Sequence, residues 1–174
     1  SILSSISRIE YVKPDSIPNI DLYMDQVTTF MEEQLSSSRR HKEDKILTKT
    51  MINNYAKNNL LPPPVKKKYS KEHVLALIFI YYFKNILSIK DIETLLSPIT
   101  EKYFDADETL NMTAIYEEIC QLEKSRIDAL QKDVARSYHH AMHCFADVPD
   151  DERDYLQLFS FICSLSFDVY VKKL

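Results

Sequence analysis

The chain has 174 residues, of which 45% are hydrophobic and 28% charged, with 22 basic and 26 acidic side chains and no glycine. A chain of this length and composition buries a core without disulfide or metal support, which excludes disordered chains and mini-protein scaffolds. The absence of glycine excludes glycine-rich phosphate loops, dinucleotide-binding turns and tight glycine hairpins, because each needs a residue without a Cβ. We therefore predict a mostly helical, all-α protein.

The cysteine spacing and the length of the apolar runs indicate the cellular compartment. Cys120, Cys144 and Cys163 form no Cys-x-x-Cys pair, so neither a disulfide framework nor a zinc finger is predicted. Residues 1–15 lack the basic start and the apolar run of a secretory signal. The longest unbroken apolar run, residues 74–83, has ten residues, which is about half of a bilayer-spanning helix. We expect a cytoplasmic protein that does not enter a membrane.

Residues 1–20 are predicted to form an N-terminal tail or a strap. Asp21 is expected to cap a first helix over 22–35, whose apolar residues lie broadly along one face. A polar loop follows, and Thr48 is expected to cap a second helix. Asn59 would end that helix, since asparagine tolerates the left-handed conformation best after glycine.

Prolines and capping residues set the predicted element boundaries in residues 62–98. Three consecutive prolines at 62–64 predict an extended strut. Ser70 is placed to start a helix that contains the 74–83 run and is apolar on all sides, so this helix should be central to the core. Ser88-Ile89-Lys90-Asp91 resembles a capping box that opens a short helix, and we expect Pro98 to end it.

The C-terminal part is acidic and shows longer helical periods. Apolar residues three and four apart predict a long amphipathic helix through 115–145, and Pro149 with an acidic first turn opens a last helix. The body of that helix, 155–167, is apolar on several faces and needs cover from its own chain or from a second copy, which favours a homodimer. An aromatic-lined pocket in residues 99–174 is where a small-molecule effector would bind, if the protein has one.

The formal charge of −4 is unevenly distributed. Residues 36–73 hold 10 basic and 3 acidic side chains, a net charge of +7 inside an acidic protein, and the basic ones include Arg40 and Lys42. A local basic patch matters more for phosphate attraction than the net charge, because fields are screened beyond about 8–10 Å. A solvated helix face is the plainer interpretation of these lysines.

The order of a short helix, a second helix after a turn, an extended lysine segment and a buried helix is that of a winged helix-turn-helix. Asparagine reads adenine through paired hydrogen bonds, and lysine approaches guanine or phosphate. The second helix and the wing therefore predict a set of DNA-binding residues: Lys45, Thr48, Lys49, Thr50, Asn53, Asn54, Lys57, Lys66, Lys67, Lys68 and Tyr69. The alternative is that the asparagines are only surface and capping residues.

Two families resemble this sequence. Asn53-Asn54-Tyr55-Ala56-Lys57-Asn58-Asn59-Leu60-Leu61-Pro62-Pro63 is similar to the MerR-type signature, and Lys67-Lys68-Tyr69-Ser70 falls where that family has its wing Arg-x-Tyr. The resemblance covers residues 46–96 and departs from the pattern at Asn53, Asn59, Lys67 and Ile86, where the family has Arg, Gly, Arg and Gly. It implies a MerR-like winged helix-turn-helix over 21–98, followed by a helical bundle over 99–174 for dimerisation or effector binding.

Over its whole length the chain resembles a bacterial family described as a domain of unknown function, number 1836, in which Pro-Asn-Ile-Asp-Leu-Tyr-Met-Asp and Leu-Pro-Pro-Pro-Val-Lys-Lys-Lys-Tyr recur. That resemblance implies a transcriptional regulator. We therefore predict a regulator that binds double-stranded DNA as a homodimer. The rival interpretation is a protein interaction module whose basic face binds an acidic partner.

Other candidate sites are weaker. His139, His140, His143 and Cys144 have metal-ligand side chains at i,i+4 spacing, but the glutamate of a hydrolytic zinc helix is missing, and surface histidines beside a cysteine are the simpler interpretation. Glu117 and the acids near 150 fit a solvated helix face and a helix start better than acid–base catalysis. We expect no enzyme activity, no metal and no cofactor.

Overall fold

The computed structural model describes residues 11–39 and 43–173, so Arg40 and Lys42 of the basic segment and the first ten residues of the predicted tail lie outside the described part. Within the described part the chain forms six α-helices and two short strands. In chain order these are β1 (Leu22–Tyr23), α1 (Met24–Leu35), α2 (Lys49–Lys57), β2 (Lys68–Tyr69), α3 (Lys71–Phe83), α4 (Ile89–Tyr103), α5 (Met112–Ala141) and α6 (Asp150–Lys173). The prediction of an all-α protein is confirmed, with one small antiparallel sheet added.

The chain divides into two compact units, and among the described residues one ends at residue 122 and the other runs from 123 to 173. The sequence placed a boundary at residues 98 and 99, whereas this division falls inside α5. The physical reason lies in the first turns of α5. Met112 and Tyr116 are fully buried there and pack against the core of the first unit.

Helix α3 is the centre of the first unit. Its residues 73–81 are all buried, as expected for a helix that is apolar on every side. Ser70 stands at the position before the helix, and its backbone N–H donates to His73 Nδ1 at 3.0 Å. The predicted start and central position of this helix are confirmed.

The described part of the predicted N-terminal tail belongs to this core. Val12 and Ile17 are buried, and the Tyr116 hydroxyl donates to the Val12 carbonyl oxygen at 2.6 Å. The described part of this stretch is therefore a strap on the core and not a free tail, since apolar side chains and a buried hydrogen bond hold it.

Two helix boundaries also differ from the predictions. Leu22 and Tyr23 form a strand, and α1 starts at Met24, where the Tyr23 N–H donates to Gln26 Oε1 at 2.8 Å. The capping box at Ser88 is confirmed, but α4 continues through Pro98 to Tyr103. Proline removes one helical hydrogen bond, and Ile99 and Tyr103 beyond it still pack against the core and keep the helix intact.

The second unit is a hairpin of the C-terminal half of α5 and α6. Phe161 is buried on α6 and meets Tyr138 of α5 edge to face, with ring centroids 5.4 Å apart. The Gln157 amide donates to the carbonyl oxygens of Met142 and Cys144, at 2.9 Å each, and so ties α6 to the turn after α5. The predicted last helix with its acidic first turn is confirmed.

None of the helices in the described ranges combines the length and the apolar character that crossing a membrane requires.

Candidate nucleic-acid interface

Helix α2 is held by one face and exposes the other. The Thr48 hydroxyl accepts from the Met51 N–H at 3.2 Å, which confirms the predicted N-cap. Ile52 is fully buried and Tyr55 nearly so, and burial raises the pKa of the Tyr55 hydroxyl. The exposed side chains of the helix are polar or basic: Lys49, Thr50, Asn53, Asn54 and Lys57.

Both ends of α2 are fixed by local contacts. At the C-terminal end the Asn58 amide donates to the Asn54 carbonyl oxygen at 2.8 Å, and Asn59 takes the predicted left-handed conformation with φ of 57°. Before the helix, Lys84 Nζ donates to the Ile46 carbonyl oxygen at 2.8 Å, and burial lowers the pKa of this lysine. The helix is thus presented to solvent from a supported backbone, with Lys45 exposed just ahead of it.

The lysine segment after the prolines is a tight hairpin. Val65 and Lys68 exchange two backbone hydrogen bonds, at 3.1 and 2.9 Å. The two residues between them, Lys66 and Lys67, have φ of 50° and 65°. Positive φ at both central positions is the signature of a type I′ turn, which most hairpins build with Asn-Gly. The absence of glycine thus did not prevent a tight hairpin, and the segment is not simply extended.

A row of three side chains crosses the outer face of this hairpin. Strand β2 pairs with β1 so that Tyr23 faces Lys68, and Lys68 also bridges to Val65. Directly opposed residues of antiparallel strands share a face. Lys68 Nζ lies 5.4 Å from the centroid of the Tyr23 ring, within the range of a cation–π contact. Tyr23 and Val65 are 54% and 70% exposed, so both side chains are available at the surface beside Lys68.

The prediction that Tyr69 belongs to the binding surface is wrong. Tyr69 pairs with Leu22, so its side chain lies on the inner face of the sheet, where it is buried. Its ring meets the His73 ring edge to face, with centroids 5.4 Å apart. The alternation of strand side chains explains the error, because consecutive residues point to opposite faces.

The start of α2 and the lysine hairpin both contact the junction between β1 and α1, residues 23–25. Lys49, the first residue of α2, forms an ion pair with Asp25 of α1. Asp25 follows Tyr23 by two residues, so their Cα atoms are at most about 7 Å apart. Tyr23 in turn pairs with Lys68 of the hairpin. The junction between β1 and α1 therefore contacts a lysine from each of the two predicted binding stretches.

Tyr23 and Val65 belong to this surface and were missed by sequence reasoning. Position 23 reads as the start of a helix, and only the strand pairing with residue 68 turns its ring outward. The sequence carried no signal for Tyr23, because Val27 and Phe30 follow it at helical spacing and place it on the apolar face of the predicted helix.

The histidine cluster lies elsewhere, around the end of α5. The rings of His139 and His143 have centroids 4.4 Å apart, and His143 Nδ1 lies 2.7 Å from the His139 carbonyl oxygen. Cys144 is exposed, as is His140, whose carbonyl oxygen accepts from the Cys144 thiol at 3.6 Å. Among the residues that the structure describes, no three His, Cys, Asp or Glu side chains form a group that could hold an ion.

One cavity beside α1, of about 320 Å³, is lined by Pro18, Leu22, Asp25, Gln26, Thr29, Phe30 and Glu33. It is not in residues 99–174, where the sequence suggested an effector site.

A comparison with curated proteins gave no match, and neither did a comparison with solved structures. A family model described as Domain of unknown function (DUF1836) matches residues 12–119, which includes every helix and strand of the first unit apart from residues 120–122 of α5. Because the match covers more than half of the chain, the protein belongs to the DUF1836 family.

Proposed function

We propose that the protein binds double-stranded DNA through α2 and the lysine hairpin and acts in transcriptional control. In this proposal the Asn and Lys side chains of α2 enter the major groove, and the hairpin lysines bind phosphates. The observation that carries the proposal is the shared junction: Asp25 pairs with Lys49 of α2, and two residues earlier Tyr23 contacts Lys68 of the hairpin.

The composition of the exposed side of α2 supports the readout. The exposed residues combine bidentate hydrogen-bonding amides, Asn53 and Asn54, with two cations and no acid. The ion pair between Lys49 and Asp25 is highly exposed on both partners. Exposed pairs contribute only about 0–1 kcal/mol, so a phosphate can compete for this lysine at little cost.

The conformation of the hairpin supports a role for its lysines. A left-handed residue with a Cβ costs roughly 1–2 kcal/mol, and both Lys66 and Lys67 are left-handed. Local strain of this kind is concentrated at functional sites, where the side chain is needed despite the backbone cost. Both residues are exposed at the tip of the turn, a position suited to phosphate contact.

The element order supports a MerR-like winged helix-turn-helix within this proposal. A strand, two helices, a hairpin that pairs with the first strand, and a buried helix follow one another in residues 22–83. The proposal also includes a homodimer, since two copies of the interface would read a site with two-fold symmetry.

The test is selection of bound fragments from random duplex DNA with the full chain, followed by affinity measurements on the preferred site over a range of salt. If four to six lysines per chain neutralise phosphates, the log–log salt slope is about −4 to −5 per monomer. Replacing Lys66 and Lys67 with alanine should reduce its magnitude by about 2 without changing the preferred sequence. The matched control is Lys90→Ala with Lys102→Ala, two exposed lysines of α4.

Asn53→Ala or Asn54→Ala should cost about 1–3 kcal/mol on the preferred site and relax its sequence preference. Asn85→Ala, at an exposed asparagine outside α2, is the control. Failure to recover any DNA, with the basic segment instead binding an acidic protein surface, would favour the interaction module.

A further inference from the structure

The cavity beside α1 is a surface groove. Its volume of about 320 Å³ is at the lower end of the range for small-molecule sites. Leu22 and Phe30 line it and are buried, so they form its apolar floor. Asp25 and Glu33 also line it and are exposed, so their carboxylates lie at its rim. We call this feature the α1 groove.

The α1 groove is acidic towards both ends. Asp25 and Glu33 are eight residues apart on α1, a rise of about 12 Å along the helix. The lining between them is apolar or uncharged, and none of the described lining residues is basic. An aliphatic diamine fits this pattern. Its apolar chain would lie on Leu22 and Phe30, while its two ammonium groups meet the two carboxylates.

One end of the groove already binds an ammonium group. Lys49 of α2 forms its ion pair with Asp25, and both side chains are exposed. The protein itself therefore makes at this carboxylate the contact that a ligand ammonium would make. Exposed ion pairs are weak, so a ligand can displace Lys49 at little cost.

We propose that the α1 groove binds an aliphatic diamine and that the bound diamine displaces Lys49 from Asp25. The freed lysine is then available to a DNA phosphate, so the ligand raises DNA affinity. This second step rests on the proposed function, whereas ligand binding does not and is measured without DNA. A chain that binds the diamine but no DNA would contradict the proposed function and leave the binding site standing.

The probe is 1,8-diaminooctane, titrated into the full chain at low salt and followed by amide proton–nitrogen NMR spectra. Saturable shifts should be concentrated at the backbone amides of residues 22–33. Octylamine, which has one ammonium group, should bind about two- to fivefold more weakly, and uncharged 1,8-octanediol should bind more weakly still. Equal affinity for the diamine and the diol, or shifts spread evenly over the acidic residues of the chain, would overturn the proposal.

Charge variants separate this groove from other acidic positions. Asp25→Asn and Glu33→Gln should each weaken diamine binding about two- to fivefold. Glu101→Gln, at an exposed glutamate of α4, is the matched control and should not change it. Thr29→Lys places an ammonium group inside the groove and should abolish binding with unchanged helicity. Unchanged affinity in both Asp25→Asn and Glu33→Gln would overturn the proposal.

The displacement of Lys49 has its own test. Lys49→Ala removes the competitor for Asp25 and should strengthen diamine binding by up to about fivefold. Lys90→Ala, at an exposed lysine of α4, should leave diamine binding unchanged. Equal diamine binding by Lys49→Ala and the parent chain would contradict the displacement.

The same displacement is then measured on DNA. Asp25→Asn should bind the preferred site up to about fivefold more tightly than the parent chain, and saturating diamine should close this difference. Direct binding of the diamine to DNA affects both chains equally and cancels in the ratio of their affinities. A ratio that stays constant as the groove fills would overturn the coupling between the groove and Lys49.

Discussion

The imidazole Nε2 of His73 lies 3.4 Å from the carbonyl oxygen of Pro63. The other ring nitrogen, Nδ1, accepts from the Ser70 backbone N–H at 3.0 Å, so the neutral ring carries its proton on Nε2 and donates it to Pro63. Pro63 precedes the lysine hairpin and Ser70 follows it. One buried ring therefore fastens both ends of the proposed wing to α3.

This relationship predicts how stability depends on pH. Burial lowers the pKa of His73 below its ordinary value of 6.5, opposed by smaller effects of the Pro63 carbonyl and of the Asp105 and Glu72 carboxylates. The unfolded chain then binds a proton more readily than the folded chain. The contribution of His73 to stability is complete above about pH 6.5 and is lost as pH falls below it, with a slope of at most about 1.4 kcal/mol per pH unit.

Urea unfolding between about pH 7.5 and pH 5 measures this effect, because the window brackets the ordinary pKa of histidine. His73→Gln keeps a side-chain acceptor for the Ser70 N–H and cannot titrate, so its stability should fall less steeply with acidification than that of the parent chain. His140→Gln, at an exposed histidine, should follow the parent curve. Equal slopes for the parent chain and His73→Gln would contradict the prediction.

The hairpin turn should be more stable with other residues. Replacing Lys66 with Asn and Lys67 with Gly lowers the cost of the two left-handed positions, partly offset by the entropy that glycine loses on folding, and should raise the free energy of unfolding by about 1–2 kcal/mol. The same double variant should bind DNA more weakly, because it loses two phosphate contacts. Replacing both lysines with arginine is the control, since it keeps the charge and the strain. A double variant that is more stable and binds DNA as tightly as the parent would remove the hairpin from the interface.

Tyr23 should contribute to DNA binding without contributing to its salt dependence. Tyr23→Ala removes an exposed ring beside Lys68 but no charge, so affinity should fall about three- to tenfold at every salt concentration while the slope stays the same. Tyr23→Phe keeps the ring and should bind nearly as well as the parent chain. Leu95→Ala tests an exposed apolar side chain of α4 and should have no effect. Unchanged affinity of Tyr23→Ala would show that the ring lies outside the bound surface.

The N-cap of α2 should matter for stability. Thr48→Ala removes the hydroxyl that accepts from the Met51 N–H and should lower the free energy of unfolding by about 1 kcal/mol. Amide hydrogen exchange should show the largest change in the first turn of α2. Thr50→Ala, on the exposed side of the same helix, is the matched control and should change stability little. If both variants were equally stable, the cap would not be what fixes the start of the helix.

Local signals in the sequence predicted most of the helices. Thr48, Ser70 and Ser88 each open a helix where a capping residue precedes an apolar pattern, and Asn59 ends one in the left-handed conformation. The sequence also predicted that residues 74–83 lie in the core. Such features depend on the backbone conformation and hydrogen bonding of a few neighbouring residues, so they can be inferred without knowing the rest of the molecule.

The tertiary structure decided what depends on contacts between distant residues. The register between residues 22–23 and 68–69 turns Tyr23 outward and Tyr69 inward, a difference that no local pattern encodes because a shift of one residue would reverse it. The same holds for α4, which passes through Pro98 because Ile99 and Tyr103 pack on the core. Helix starts are set by nearest neighbours, whereas the face that a side chain presents is set by the partner strand or helix against which it packs.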